Sequence, residues 1–125
     1  MQEKIADIRI NGLNRIEKLE LQKNVDTQFV EFYEEPLEGS QYGELMTTAA
    51  VVVITVVALK GLAVWLLKTS FRQQITKTIE IEFPDGRKEK HTINIDVSGK
   101  KAPEEEVLKE LSNVLKVDPK LLSGL

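Results

Sequence analysis

Hydrophobic and polar positions follow different periods in different parts of the chain, and each period predicts an element. Ile75, Ile79, Ile81 and Phe83 alternate with Thr76, Thr78, Glu80 and Glu82, the period-two pattern of a strand with one buried face. Pro84-Asp85-Gly86-Arg87 supplies a turn in which Gly86 can take positive φ. Ile93, Ile95 and Val97 then alternate with Thr92, Asn94 and Asp96, which predicts a β-hairpin. After Pro103 the period lengthens. Val107, Leu108, Leu111, Val114 and Leu115 form one apolar stripe of a helix suited to covering the hairpin. Pro103 fits the first helical position, and Glu104, Glu105 and Glu106 lie at the positive end of the dipole. Asp118-Pro119 is a start signal for one last turn carrying Leu121 and Leu122.

Toward the N-terminus the pattern is shorter-ranged. Ile8 and Ile10 alternate with Asp7 and Arg9, predicting a short strand that Asn11-Gly12 breaks. Leu13–Lys23 reads as a helix, although Leu19-Glu20-Leu21 also permits a strand. Thr27–Glu34 holds Phe29, Val30, Phe32 and Tyr33 and reads as an aromatic, β-branched strand ended by Pro36 and Gly39.

Between these regions lies the run Thr47–Leu67, in which Val, Ile and Leu fill eleven of 21 positions and Lys60 is the one formal charge. As a helix it would measure roughly 31 Å, the thickness of a bilayer core. The expectation is one long hydrophobic helix over 46–68 that spans or inserts into a membrane. Its marked positions are Val51, Val53, Val57, Lys60, Gly61 and Trp65. Two arrangements compete. One is a helix buried in an assembly, since Thr47, Thr48, Thr55 and Lys60 form no polar stripe. The other is a strand pair built from Val51–Val57, which the lack of turn residues disfavours. Asp26–Leu45 holds no Lys or Arg, whereas Lys68, Arg72 and Lys77 follow the run. The positive-inside rule would then leave the C-terminus cytoplasmic, with Trp65 at the interface.

Charge divides the chain the same way. Residues 1–45 carry five basic and ten acidic side chains, and residues 68–125 carry eleven and ten. The domain reading is therefore an acidic β-α-β segment (1–45), the hydrophobic helix (46–68) and a hairpin-plus-helix unit (69–125). The fold class is α+β, a small antiparallel or mixed sheet with helices. A net charge of −3 argues against nucleic acid as partner. With no cysteine, one histidine and no nucleotide, zinc-protease or hydrolase motif, the sequence offers no catalytic, metal or cofactor set. His91 has no paired carboxylate motif and reads as structural. One candidate partner patch stands out: Phe29, Glu31, Phe32 and Glu34, apolar on both faces of a strand in acidic surroundings, with core packing as the plainer explanation.

Pro36-Leu37-Glu38-Gly39-Ser40-Gln41-Tyr42-Gly43-Glu44-Leu45, the apolar run ending Trp65-Leu66-Leu67-Lys68, and the hairpin around Pro84-Asp85-Gly86-Arg87 together resemble the effector-associated constant component family. The family's helix has a glycine-rich middle, where this chain has Val51–Val57 and only Gly61. The resemblance implies a non-enzymatic accessory or effector component of a bacterial anti-phage or conflict system. Its partner would be a caspase-like or trypsin-like peptidase or an NTPase-related protein encoded nearby. On activation the hydrophobic helix would insert in the membrane lipid and oligomerise, the protein remaining cytoplasmic until then. The alternatives are a soluble adaptor that docks partners through the same helix, and a constitutive single-pass anchor.

Overall fold

The computed structural model describes residues 4–36, 46–70 and 72–117. Strands β1 (Ala6–Leu13), β2 (Val30–Pro36), β3 (Met46–Ile54), β4 (Gln74–Glu82) and β5 (Lys88–Asp96) form one antiparallel sheet. Its order is β2-β3-β1-β4-β5. Helices α1 (Arg15–Asn24), α2 (Val56–Lys68) and α3 (Pro103–Leu115) complete the α+β fold that the periods predict.

The main departure concerns the apolar run. It is not one helix over 46–68. Its first part is β3, at the heart of the sheet, and its second is the 13-residue α2, roughly 20 Å long. Among the described residues no helix is long and apolar enough to cross a membrane. The break has a local cause. Val51, Val52, Val53 and Ile54 are β-branched, stiff at χ1 and better accommodated on a pleated surface than in a helix. Thr55 follows in an extended conformation, and its Oγ1 accepts from the Ala58 N–H at 3.2 Å, capping α2. Ala58, Leu59, Leu62 and Ala63, with higher helix propensity, then carry the helix on. Nor is the strand half of an internal pair, because β3 pairs with β2 on one side and β1 on the other.

Parity along the strands separates two faces. Ile8, Ile10, Ala50, Val52, Ile54, Ile75, Ile79, Ile81 and Ile93 are buried in the core with Leu59, Leu62, Trp65, Val107 and Leu111 of the helices. Covering that face with α2 and α3 is what the stripe of α3 requires. The strand predicted at Ile8–Ile10 continues past Asn11-Gly12 to Leu13 through a register shift, with Gly12 at φ 72°. The expected strand from Thr27 begins instead at Val30, after a 3-10 turn over Thr27–Phe29. The hairpin turn is as predicted: Gly86 has φ 92°, and Asp85 accepts from the Arg87 N–H at 3.0 Å. The expected last turn at Asp118-Pro119, and residues 37–45 of the Pro36-to-Leu45 motif, lie outside the described residues.

Where the helices meet the sheet, three elements converge on one polar cluster. Asn14 and Glu17 form a reciprocal capping box at the start of α1. The same Glu17 pairs with Lys77 of β4, and its carbonyl accepts from Trp65 Nε1 at 2.9 Å. Lys77 lies 5.5 Å from the centroid of the Trp65 ring. Trp65 is fully buried, so its indole N–H needs this partner. One turn earlier in α2, Gly61 abuts the end of α1: a Cβ there would fall 2.2 Å from the Asn24 carbonyl oxygen. Only a residue without Cβ allows α1 and α2 this approach.

Candidate docking surface

Opposite the helices, the odd residues of β1, β2 and β3 and the even residues of β4 and β5 share the second face of the sheet. The register aligns them in rows. One row runs Glu31–Val51–Arg9–Glu80–Lys90, and the next runs Val53–Asp7–Glu82–Lys88. Charged neighbours alternate in sign along the first row, Arg9–Glu80–Lys90, which favours each pair over its like-charged alternative, whereas the second row sets Asp7 beside Glu82 before Lys88. A shallow depression of about 480 Å³ over this face is lined by Asp7, Arg9, Val51, Glu80, Lys88 and Lys90 among others. No group of His, Asp or Glu that could hold a metal ion occurs among the described residues.

The marked positions of the apolar run do not form one surface. Val51 and Val53 are half-buried on the second sheet face, while Trp65 is fully buried in the core. Gly61 faces the α1 terminus, Lys60 is half-buried, and Val57 is exposed near the start of α2. The residues reserved for a membrane or partner helix are thereby divided between a strand and a helix.

The patch Phe29, Glu31, Phe32 and Glu34 is divided by strand parity. Phe29 and Phe32 pack half-buried against the core, and Lys18 lies 5.3 Å from the Phe32 ring centroid. Glu31 projects with Tyr33 from the other face, and Glu34 is also exposed. The Tyr33 hydroxyl donates to the Glu31 carboxylate, and that hydrogen bond, with the adjacent negative charge, holds the phenol above its ordinary pKa. Tyr33, one of the aromatic residues that mark this strand in the sequence, is 43% exposed and takes the solvent side because Phe32 faces inward. Ile16 and Leu19, also exposed, lie on α1.

Strand β2 is one edge of the sheet, and β5 is the other. Among the described residues β2 pairs only with β3, and β5 only with β4. The edges differ in charge. β2 carries Glu31 and Glu34 exposed, whereas β5 carries Lys88 and Lys90 exposed on the second face in its first half and Asp96 exposed at its end. On the helix side of β5, Glu89 binds Lys116 at 2.8 Å and His91 at 2.8 Å. Lys116, in first place, and His91 hold the Glu89 carboxyl below the ordinary glutamate range. This contact ties the C-terminal end of α3 to the edge strand. Compared with protein-family models, curated proteins and solved structures, the chain matches none.

Proposed function

We propose that this chain is a non-enzymatic docking component, of the kind its resemblance to effector-associated bacterial proteins implies, and that it meets its partner at the β2 edge. The observation carrying this reading is the acidic edge strand itself. β2 offers one side of its backbone to solvent among the described residues, flanked by exposed Glu31, Tyr33 and Glu34. An edge of this kind takes an extended segment as a sixth strand: backbone hydrogen bonds supply affinity, and alternate side chains supply selectivity. The acidic groups favour a segment with basic residues at alternate positions. A peptidase or NTPase-related partner encoded nearby would present such a segment.

The same reading moves docking away from the apolar run. β3 and α2 are already packed, so exposing Val52, Ile54, Leu59 and Leu62 would first require dismantling the sheet. The test is NMR titration of the full chain with a nine-residue peptide alternating Lys with Val and Thr (about the length of one strand). Amide shifts should concentrate on residues 30–36, weaken with salt and vanish in Glu31→Lys/Glu34→Lys. Shifts centred elsewhere, or the same in the variant, would overturn it.

A further inference from the structure

The strand that best fits the acidic edge belongs to the chain itself. Resting on the edge-docking reading above, we infer that the occupant of β2 is β5 of a second copy, so that copies join head to tail into one continuous sheet. Three observations carry this.

The first is charge. On the second face Glu31 of β2 is opposite in sign to Lys88 and Lys90, which occupy the first half of β5, with Asp96 at its far end and Glu89 bound to Lys116 and His91 on the helix side. A two-fold dimer through β2 would set glutamates against glutamates, and one through β5 centred within Lys88–Lys90 would set lysines against lysines. Two β2 edges repel, and the lysine end of β5 attracts β2. The charge that guards β2 from its own kind therefore selects the lysine end of β5.

The second is direction and register. Each neighbouring pair in the order β2-β3-β1-β4-β5 is antiparallel, so β2 and β5 run the same way. A second copy with its helices on the same side of the sheet thus brings its β2 parallel to β5. The row Glu31–Val51–Arg9–Glu80–Lys90 begins with an acid and ends with a base. Placing the next copy's Glu31 beside Lys90 continues the alternation without a like-charged neighbour, and sets Tyr33 beside Thr92.

The third is unfinished burial in the layer beneath. Phe29 and Phe32 at the β2 edge, and Ile95 at the β5 edge, are only half-buried, whereas Ile10 and Val52 on the inner strands, and Val30 and Ile93 on the edge strands themselves, are already buried. A neighbour at each edge would cover what this chain leaves open. Because the two surfaces are different, the contact is heterologous and does not close at two.

Sedimentation velocity of the full chain over a concentration series tests the inference. Low salt should give a progression beyond the dimer, and the progression should retreat as the Debye length shrinks from about 10 Å at 0.1 M salt to about 3 Å at 1 M. Glu31→Lys and Lys90→Glu, each with an unchanged circular dichroism spectrum, should both be monomeric alone. Mixed in equal amounts they should assemble again, because the basic β2 of one then meets the acidic β5 of the other. A monomer at every concentration, an assembly that stops at two, or no recovery on mixing would overturn the inference. A peptide of residues 88–96 separates this from the docking reading. If it shifts the β2 amides while the full chain stays monomeric, docking stands and the second copy is the wrong occupant. If it leaves β2 untouched, edge docking itself fails.

Discussion

Replacing consecutive valines of β3 by threonine, one at a time, tests the division of the apolar run most directly. Thr has nearly the shape of Val, is also β-branched, and differs little from it in helix propensity, so the perturbation is a hydroxyl and little else. Val52 is fully buried against the helices, whereas Val51 and Val53 are half-buried on the second face. At position 52 the hydroxyl loses water among Ile8, Ile54 and Val30, its ladder and strand neighbours. A buried hydroxyl without a partner costs about 1–3 kcal/mol, and a back-bond to the chain would recover only part of it. At 51 and 53 water remains within reach, and the cost stays within about 0.5 kcal/mol. For a domain of this size, about 1–3 kcal/mol lowers Tm by roughly 4–12 °C. Urea and thermal unfolding of the three variants should therefore show one large loss at Val52 between two near-neutral neighbours. Equal losses at all three, or a larger loss at Val53 than at Val52, would refute the strand assignment and restore a helix through this segment.

Three further outcomes follow from the packing. Gly61→Ala would ordinarily stabilise a helix by about 1 kcal/mol, but here the new methyl meets the Asn24 carbonyl. Overpacking against backbone costs about 1–3 kcal/mol or more, so the variant should have a lower urea midpoint, and a higher one would contradict the close approach of α1 and α2. Lys77→Met leaves Glu17, whose side chain is 15% exposed, without its cation; a loss of about 1–3 kcal/mol by urea unfolding is expected, and an unchanged midpoint would remove the pair from the account. Glu89 is held below the ordinary glutamate range first by Lys116 and then by His91, so its stabilising contact is present above the unfolded value and lost as pH falls through the depressed folded one. An NMR titration should show Glu89 ionising at higher pH in Lys116→Met than in the wild type, and coincident curves would exclude Lys116 as the cause.

How much of this was legible in the sequence depended on whether an element had one solvent face. β4 and β5 do, so their apolar residues alternate and the turn Pro84-Asp85-Gly86-Arg87 marks their junction. The α3 stripe was equally plain, since its outer side is charged. β3 offers no such contrast. As an interior strand it carries Val51 and Val53 on its second face as well as Val52 and Ile54 on the first, and alternation disappears. α2 is similarly apolar around most of its circumference, under α1 and α3. Two buried elements in succession read as one membrane-length segment, and the punctuation between them is a single threonine. The β-branched run before Thr55 was the available signal. For the edge patch, the sequence showed the aromatic and acidic residues but not which edge they occupied, because that follows from β3 entering between β2 and β1.

The place of β1 in the middle of the sheet bears on how the chain finds its fold. β4 and β5 are joined by a tight turn and can pair early at little entropic cost, whereas β1 must capture β3 and β4 from far along the chain. Without β1, what remains of the sheet is two separate hairpin-like halves, β2-β3 and β4-β5. Assembly is then expected to wait on a long-range step, with the apolar β3 exposed until β1 engages it. The same topology suggests a division of the chain: residues 4–13 as a synthetic strand, and the remainder as a receptor that becomes fully ordered only when the strand is supplied.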